Sequence, residues 1–229
     1  LEPLIQTGTL DNEQALGLRQ RYCEAIEKSG NEERASSCFN ELYIDNPTQL
    51  SLLSYSADLA HRRGNNDVYL HKLKELYSLE PSAKTASSIG YALEKNKQWE
   101  DAESWHETAY STDTKLEYAV AYAGSLLGNK KYEVAKGILL HIIEDPGSSP
   151  EQREYAYNNL ASIYFYNKSY READTAWENA SKERDTPVYT LRRIVTNNVS
   201  GNHDIAHQLA LPYGIDLPED LSVEYHQDW

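Results

Sequence analysis

Two histidines near the C-terminus have the spacing of a metal-binding pair. His203 and His207 are four residues apart, so on a helix both imidazoles would lie on one face, with Asp204 directly after the first. The order is superficially similar to the HExxH helix of zinc proteases, in which Glu is the general base. Here the shorter Asp204 takes that position, and no third ligand follows at a recognisable spacing. The helix dipole alone explains an acid in a first helical turn. A metal-dependent hydrolase or enzyme accessory domain using this pair is kept as an alternative.

No other arrangement of chemistry-bearing residues has a recognisable frame. The sequence contains no phosphate-binding loop, no GxSxG nucleophile motif, no Rossmann fingerprint and no framed pair of carboxylates. Its two cysteines form neither a CxxC redox motif nor a zinc pattern. We therefore expect a protein that is not an enzyme and that uses neither a cofactor nor a metal.

The charge of the chain limits the class of partner. Its 229 residues include 22 Lys and Arg against 36 Asp and Glu, which gives a formal net charge of −14. Such a field repels nucleic-acid phosphates and anionic lipid, and no apolar run approaches the roughly 18 residues of a membrane span. We expect no nucleic-acid binding and no direct membrane insertion. A neutral or basic protein or peptide with hydrophobic anchors is the favoured partner.

A repeat organises the chain. When the repeats are aligned, five of the six have alanine at one equivalent position, which forms a column of small residues. These alanines are Ala35, Ala102, Ala135, Ala173 and Ala206, and the second repeat has Tyr69 at this position. The steps along this column are 34, 33, 33, 38 and 33 residues. Five residues earlier, a second column keeps the same register with Gly30, Gly64, Lys97, Lys130, Lys168 and Gly201. The long step coincides with the breaker-rich stretch 145–150, so the exception marks an insertion between repeats.

This period predicts six helical hairpins. First helices are expected near 13–28, 50–63, 83–96, 116–129, 151–167 and 187–200. Second helices are expected near 31–45, 66–79, 98–112, 131–144, 169–183 and 203–211. The predicted units are a lead-in at 1–12, hairpins at about 13–47, 48–81, 82–115, 116–150, 151–186 and 187–211, and a tail at 212–229.

The sequence resembles the tetratricopeptide-repeat family, most fully in the fifth hairpin. The family's large, aromatic and small positions are held there by Tyr157, Leu160-Ala161, Tyr164, Tyr170, Ala173, Trp177 and Ala180. The third hairpin matches through Ile89-Gly90, Trp99, Ala102 and Ala109, and departs from the pattern at Ala86 and His106. The sixth is degenerate. The resemblance implies an all-α, right-handed superhelical solenoid of antiparallel helix pairs, which acts as a non-catalytic scaffold or adaptor within a larger assembly.

The resemblance also implies where a ligand would bind. The family uses the concave surface made by first helices. In this chain the corresponding positions change from charged to apolar and aromatic, and the candidates are Tyr91, Val120, Leu127, Tyr155, Asn158, Ser162, Phe165 and Tyr166. Asn158 would bond a bound backbone, and Phe165 and Tyr166 would be rigid anchors. The alternative is that Phe165 and Tyr166 only pack on neighbouring helices or on the C-terminal tail.

The two cysteines fall in the two helices of the first hairpin. Cys23 and Cys38 lie on faces that could approach each other, and in an oxidising compartment a disulfide there would add on the order of 2–3 kcal/mol of stability. Two separately buried thiols are the alternative, since disulfide geometry is strict.

The start of the chain bears on its compartment. It begins with Leu and contains no Met, which suggests a processed product or an excised domain. An exported or periplasmic location is therefore favoured over the cytoplasm. A further hypothesis for function is a periplasmic structural arm of a secretion or polysaccharide-export machine.

Overall fold

Twelve α-helices account for most of what a computed structural model describes, which is residues 12–215 and residue 217. We number them α1 (Asn12–Lys28), α2 (Glu32–Asp45), α3 (Leu50–Arg62), α4 (Asn66–Leu79), α5 (Ala83–Lys95), α6 (Trp99–Thr112), α7 (Leu116–Gly128), α8 (Tyr132–Glu144), α9 (Pro150–Tyr166), α10 (Tyr170–Glu183), α11 (Pro187–Val199) and α12 (His203–Ala210). A 3₁₀ turn, Leu211–Tyr213, follows the last helix. Every predicted helix is present, and each end lies within one residue of its expected place.

The predicted lead-in 1–12 and tail 212–229 lie outside the described residues, except for residue 12, residues 212–215 and Leu217. Among the helices that the structure does describe, none has both the length and the apolar character needed to cross a membrane.

The chain divides into two compact units, Leu1–Asp113 and Thr114–Trp229, which we call unit 1 and unit 2. Unit 1 contains the helix pairs α1/α2, α3/α4 and α5/α6, and unit 2 contains α7/α8, α9/α10 and α11/α12. Within each unit the second helix of one pair packs against the first helix of the next. The prediction of an all-α fold built from stacked helix pairs is thus confirmed.

Local sequence signals explain where the helices begin. Asn31 and Asn65 precede second helices, and the side chain of each accepts a hydrogen bond from a backbone N–H in the first turn. Ser149 forms a full capping box with Gln152 ahead of Pro150, whose fixed φ suits the first helical position. The insertion that breaks the period thus ends in the strongest start signal of the described helices.

The turn inside each hairpin requires one residue with a left-handed backbone. Gly30, Gly64 and Gly201 fill this position with φ of 83°, 71° and 81°, which glycine adopts without steric cost. Lysine fills it in the other three hairpins, Lys97, Lys130 and Lys168, each with φ of 60°. A residue with a Cβ is strained in this conformation, so these three turns cost stability that the glycine turns do not.

The small-residue column lies where the two helices of a hairpin meet. Its five alanines are fully buried. Large side chains fill the space on either side, as Phe39 and Leu42 do in the core around Cys23. The close approach lets neighbouring pairs bury one apolar layer, because a small side chain keeps two backbones near each other.

Gly90 shows how tight this approach is. The ring of His106, which is fully buried on α6, lies directly against it, and a Cβ added to Gly90 would be 2.6 Å from His106 Cε1. The His106 Nε2 atom is 3.3 Å from Glu94 Oε1, and the ring packs edge-on against Tyr91 at 4.8 Å between centroids. His106 therefore takes the place of the family's aromatic residue as a packing group.

We expect Gly90→Ala to lower the free energy of unfolding by about 1–3 kcal/mol, because the new methyl group would overlap the fully buried imidazole of His106. Gly137→Ala is the matched control, since Gly137 lies inside α8 and nothing is within 4 Å of an added Cβ. It should gain roughly 0.5–1 kcal/mol from helix propensity. Chemical denaturation measures both, and equal effects would contradict the packing described here.

The strained turns yield a second prediction. Lys97→Gly should raise the free energy of unfolding by roughly 0.5–1 kcal/mol, because relief of the left-handed strain exceeds the entropy cost of glycine. Lys74→Gly, at an exposed site inside α4, removes the same side chain and should instead lower stability by a similar amount. If both variants are destabilised alike in thermal melts, the turn is not strained.

The first hairpin contains a disulfide. Cys23 on α1 and Cys38 on α2 have their Cα atoms 5.6 Å apart and their sulfur atoms 2.04 Å apart. Cys23 is fully buried beside Phe39, and Cys38 is partly buried at the edge of the same core. The bond therefore joins the two helices of the terminal hairpin at their shared apolar contact.

We expect protein isolated without reductant from its native compartment to carry this bond. After denaturation, neither Cys23 nor Cys38 should react with an alkylating agent until a reductant is added, as judged by intact mass. Reduction should lower the free energy of unfolding by roughly 3 kcal/mol, as expected for a loop of about 15 residues. Two alkylated thiols in the unreduced sample would refute the pairing.

Candidate functional site

In unit 1, one predicted groove residue is exposed, and charged side chains on the two preceding first helices pair with each other. Tyr91 on α5 is half exposed, and one edge of its ring contacts His106. On the neighbouring first helices, Arg62 forms an ion pair with Glu27 at 2.7 Å, and the Tyr55 hydroxyl donates to the same carboxylate. Burial and this carboxylate raise the pKa of Tyr55. These charges are already paired within the protein.

In unit 2, α7 provides the apolar part of the predicted groove. Val120 and Leu127 are both partly buried on this helix. Between them Gly124 leaves space for Tyr155 of α9, whose hydroxyl would be 3.2 Å from a Cβ placed on that glycine. The structure thus brings Tyr155 against α7, where its ring contributes to the helix contact as well as to the surface.

Asn158 on α9 is the centre of a polar cluster. Its side-chain oxygen accepts a hydrogen bond from Trp177 Nε1 on α10 at 3.3 Å and another from the guanidinium of Arg192 on α11. Ser162, one turn later, donates to the Asn158 backbone oxygen at 3.1 Å. The amide oxygen that we expected to bond a ligand backbone is therefore engaged within the protein.

The two predicted aromatic anchors differ in their surroundings. Phe165 is partly buried against Tyr170 and Trp177, with ring centroids 5.5 and 5.7 Å away, so it packs on the neighbouring helix α10. Tyr166 is 54% exposed and touches Phe165 edge-on at 6.0 Å. The packing alternative thus describes Phe165, whereas Tyr166 presents its ring at the surface.

Further apolar side chains on α11 were missed by the sequence reasoning. Val188 and Leu191 are 47% and 44% exposed, and Val199 is also exposed. Val188, Leu191 and Arg192 share a face of the helix by their spacing, and Arg192 contacts Asn158. The signal was present, since the 33-residue step of the repeat leads from Tyr155 to Val188 and from Asn158 to Leu191.

The two adjacent arginines on α11 differ in their partners. Arg193 binds Asp174 at 2.9 Å and Glu178 at 3.4 Å, and both acids lie on α10. Arg192 has no carboxylate partner among the residues that the structure describes. Nearby, burial and a hydrogen bond to Glu154 raise the pKa of the Tyr189 hydroxyl to about 12, so this phenol stays neutral.

The histidine pair lies apart from this cluster, on α12. His203 Nδ1 is 2.9 Å from the side-chain oxygen of Asn198, which explains its position at the start of the helix. No three His, Cys, Asp or Glu side chains in residues 12–215 come together in a way that could hold a metal ion. The described structure therefore supplies no third ligand for His203 and His207.

Comparison with known proteins identifies the fold. No profile of a known protein family matches the chain, and no curated protein matches it. Solved structures do match. A tetratricopeptide repeat protein from Parabacteroides merdae is 14% identical with a TM-score of 0.66, and the match covers 90% of this chain and 81% of that one.

Two other structures carry more descriptive names. YrrB, described as a TPR protein with an unusual peptide-binding site, is 13% identical with a TM-score of 0.62, over 76% of this chain and 89% of that one. PilW, described as a widely conserved type IV pilus biogenesis factor, is 13% identical with a TM-score of 0.58, over 87% of this chain and 92% of that one. Taken with the helix pairs and the buried alanine column, these likenesses show that the chain has the tetratricopeptide-repeat fold.

Proposed function

We propose that the protein is a non-catalytic scaffold or adaptor that binds a protein or peptide on the first helices of unit 2. The observation that carries the proposal is the exposure of three large apolar side chains on the first helices α9 and α11, since Tyr166, Val188 and Leu191 are each between 44% and 54% exposed. Large apolar side chains on one surface of a soluble protein are typical of interaction sites. The likeness to YrrB, which is named for its peptide-binding site, supports the same reading.

The partner would combine hydrophobic anchors with a neutral or basic overall charge. The net charge of −14 would repel a strongly acidic partner and speed association with a basic one. Aromatic and branched apolar side chains can bury their surface against a peptide at a low cost in conformational entropy. Val120 and Leu127 on α7 would add to the apolar lining, and Tyr91 would be a separate contact in unit 1.

Catalysis is not part of this proposal. Among the described residues that line the surface, the Ser162 hydroxyl donates to the backbone oxygen of Asn158 and not to a side-chain base. A hydrolase centred on His203 and His207 would need further ligands from outside the described residues, so nothing in the structure favours it.

A location in an exported compartment fits the cysteine geometry. A disulfide between Cys23 and Cys38 persists where the environment is oxidising. The likeness to PilW, named as a pilus biogenesis factor, is in keeping with a structural arm in an export machine as the setting for the scaffold. We propose such a location, and the intact-mass measurement given above for the two thiols tests it.

The binding surface can be tested with Tyr166→Ala combined with Leu191→Ala. Buried anchors at an interface typically contribute about 2 kcal/mol or more each, so the double variant should lose nearly all capture of the native partner. The measurement is quantitative mass spectrometry of proteins retained from native lysate by the immobilised chain. Phe165 is left unchanged, because it packs on Trp177 and its removal would lower the stability of the fold as well as any binding.

The matched control is Ile44→Ala combined with Leu79→Ala. These side chains are 73% and 53% exposed on second helices of unit 1, so the control removes a similar apolar area outside the proposed surface. Its captured proteins should equal those of the wild type. If the two double variants retain the same proteins in the same amounts, with both chains folded by circular dichroism, the assignment of the surface is wrong.

A further inference from the structure

We propose that a second copy of this chain docks on unit 2 by inserting its Trp99 into a cavity between α9 and α10. The proposal goes beyond the function given above, because it uses the opposite side of α9. The cavity is lined on this helix by Tyr157, Leu160 and Tyr164. By its helical spacing, Tyr164 points to the side opposite Tyr166. The two surfaces can therefore be changed one at a time.

The first half of the contact is the cavity, which has a volume of about 300 Å³. Its floor is apolar, since Leu160 on α9 and Ala176 on α10 line it and are only 4% and 5% exposed. Tyr157 and Tyr164, two helical turns apart on α9, line its sides. A pocket of this size, with an apolar floor and aromatic sides, suits one large aromatic side chain.

The two tyrosines also bring polar groups to the cavity. Within the part of the chain that the structure describes, neither the Tyr157 hydroxyl nor the Tyr164 hydroxyl makes a hydrogen bond. A phenolic O–H can donate to a carboxylate or to a backbone oxygen of an incoming segment. The lining therefore combines apolar contact area with hydrogen bonds that a partner protein can complete.

Two cations lie at one end of the cavity. Because α9 and α10 are antiparallel, Arg171 near the start of α10 lies at the Tyr164 end. Lys136 of α8 approaches the Tyr164 ring, with Nζ 4.9 Å from the ring centroid. Among the described residues, neither cation has a carboxylate partner. Glu172 also lines the cavity, so one positive charge is left in excess. This end favours a carboxylate next to the inserted side chain.

The second half of the contact is a side chain of matching chemistry on unit 1. Trp99 is the first residue of α6 and is 48% exposed. Glu100 and Asp101 follow it in the first turn, and both are exposed. Among the exposed aromatic side chains of the described residues, Trp99 alone is followed by two acids. This chain thus carries both the cavity and the anchor that fits it.

The contact joins unlike surfaces of two copies. Two chains can exchange both contacts in a closed pair, or each contact can add a further copy. In either arrangement, one copy provides the cavity and the other provides Trp99. The net charge of −14 makes copies repel each other, so the association depends on the local match of charges and increases with protein concentration.

Sedimentation velocity of the purified full chain over a wide range of concentrations tests the proposal. The average mass of the wild type should rise with concentration. Trp99→Ala should weaken self-association about tenfold or more, because a buried aromatic anchor typically contributes much of the binding free energy. Tyr213→Ala is the matched control, since Tyr213 is 47% exposed and has no acid beside it. This variant should associate like the wild type.

A charge exchange assigns the contact to the cavity. One variant combines Lys136→Glu with Arg171→Glu, and the other combines Glu100→Lys with Asp101→Lys. Each variant alone places like charges together and should stay monomeric where the wild type associates. When the two are mixed, every cavity meets a tryptophan of opposite charge, so association should return. Circular dichroism confirms that each variant is folded.

Three results would overturn the proposal. They are a wild type that stays monomeric at every concentration, a Trp99→Ala chain that associates like the wild type, and a mixture of the charge variants that does not associate. If Trp99→Ala unfolds, the charge exchange decides, because Glu100, Asp101 and Arg171 are exposed. Capture of a partner from lysate is measured separately on the other side of α9, so none of these results bears on the proposed function.

Discussion

The close approach of two helix backbones inside each hairpin is the constraint on which the rest of the fold depends. Gly90 and His106 show its limit, since the imidazole occupies the space of a missing Cβ. In five of the six hairpins, a fully buried alanine lies where the two helices meet. Because the two helices of a pair lie close together, neighbouring pairs can stack within a unit and bury the larger side chains between them. First helices are then left with one face toward solvent, and function can be placed there without disturbing the core.

Most of the fold could be predicted from the sequence, because its determinants are local and periodic. The alanine column fixes the register, and Gly30 or Lys97 at the turn marks the change of direction. Both signals need only a small side chain or a left-handed backbone at a fixed offset, so they can be read without knowing any distant contact. The division into two units depends on contacts summed over many residues, and no single position announces it.

The candidate site was less predictable, because side chains at equivalent repeat positions differ in what they touch. Phe165 and Tyr166 are adjacent aromatic residues, yet one packs on Trp177 and the other is exposed. That difference follows from where α10 passes and cannot be taken from spacing. Arg192 was missed because the sixth hairpin matches the family poorly. Its environment comes from Asn158 and Trp177, which are 34 and 15 residues away in the sequence.

The cluster of Asn158, Trp177 and Arg192 joins three successive helices, α9, α10 and α11, and therefore joins the last hairpin to the one before it. In a stacked array, one hairpin can separate locally from its neighbour while the rest of the unit stays folded. A ligand that contacts both α9 and α11, as the proposed function requires, can bind only while these two hairpins are docked. Its binding free energy then also stabilises the docked arrangement, and occupancy of the surface is thermodynamically linked to the contact between the two hairpins. The docking of the sixth hairpin would thus depend on whether a ligand is bound.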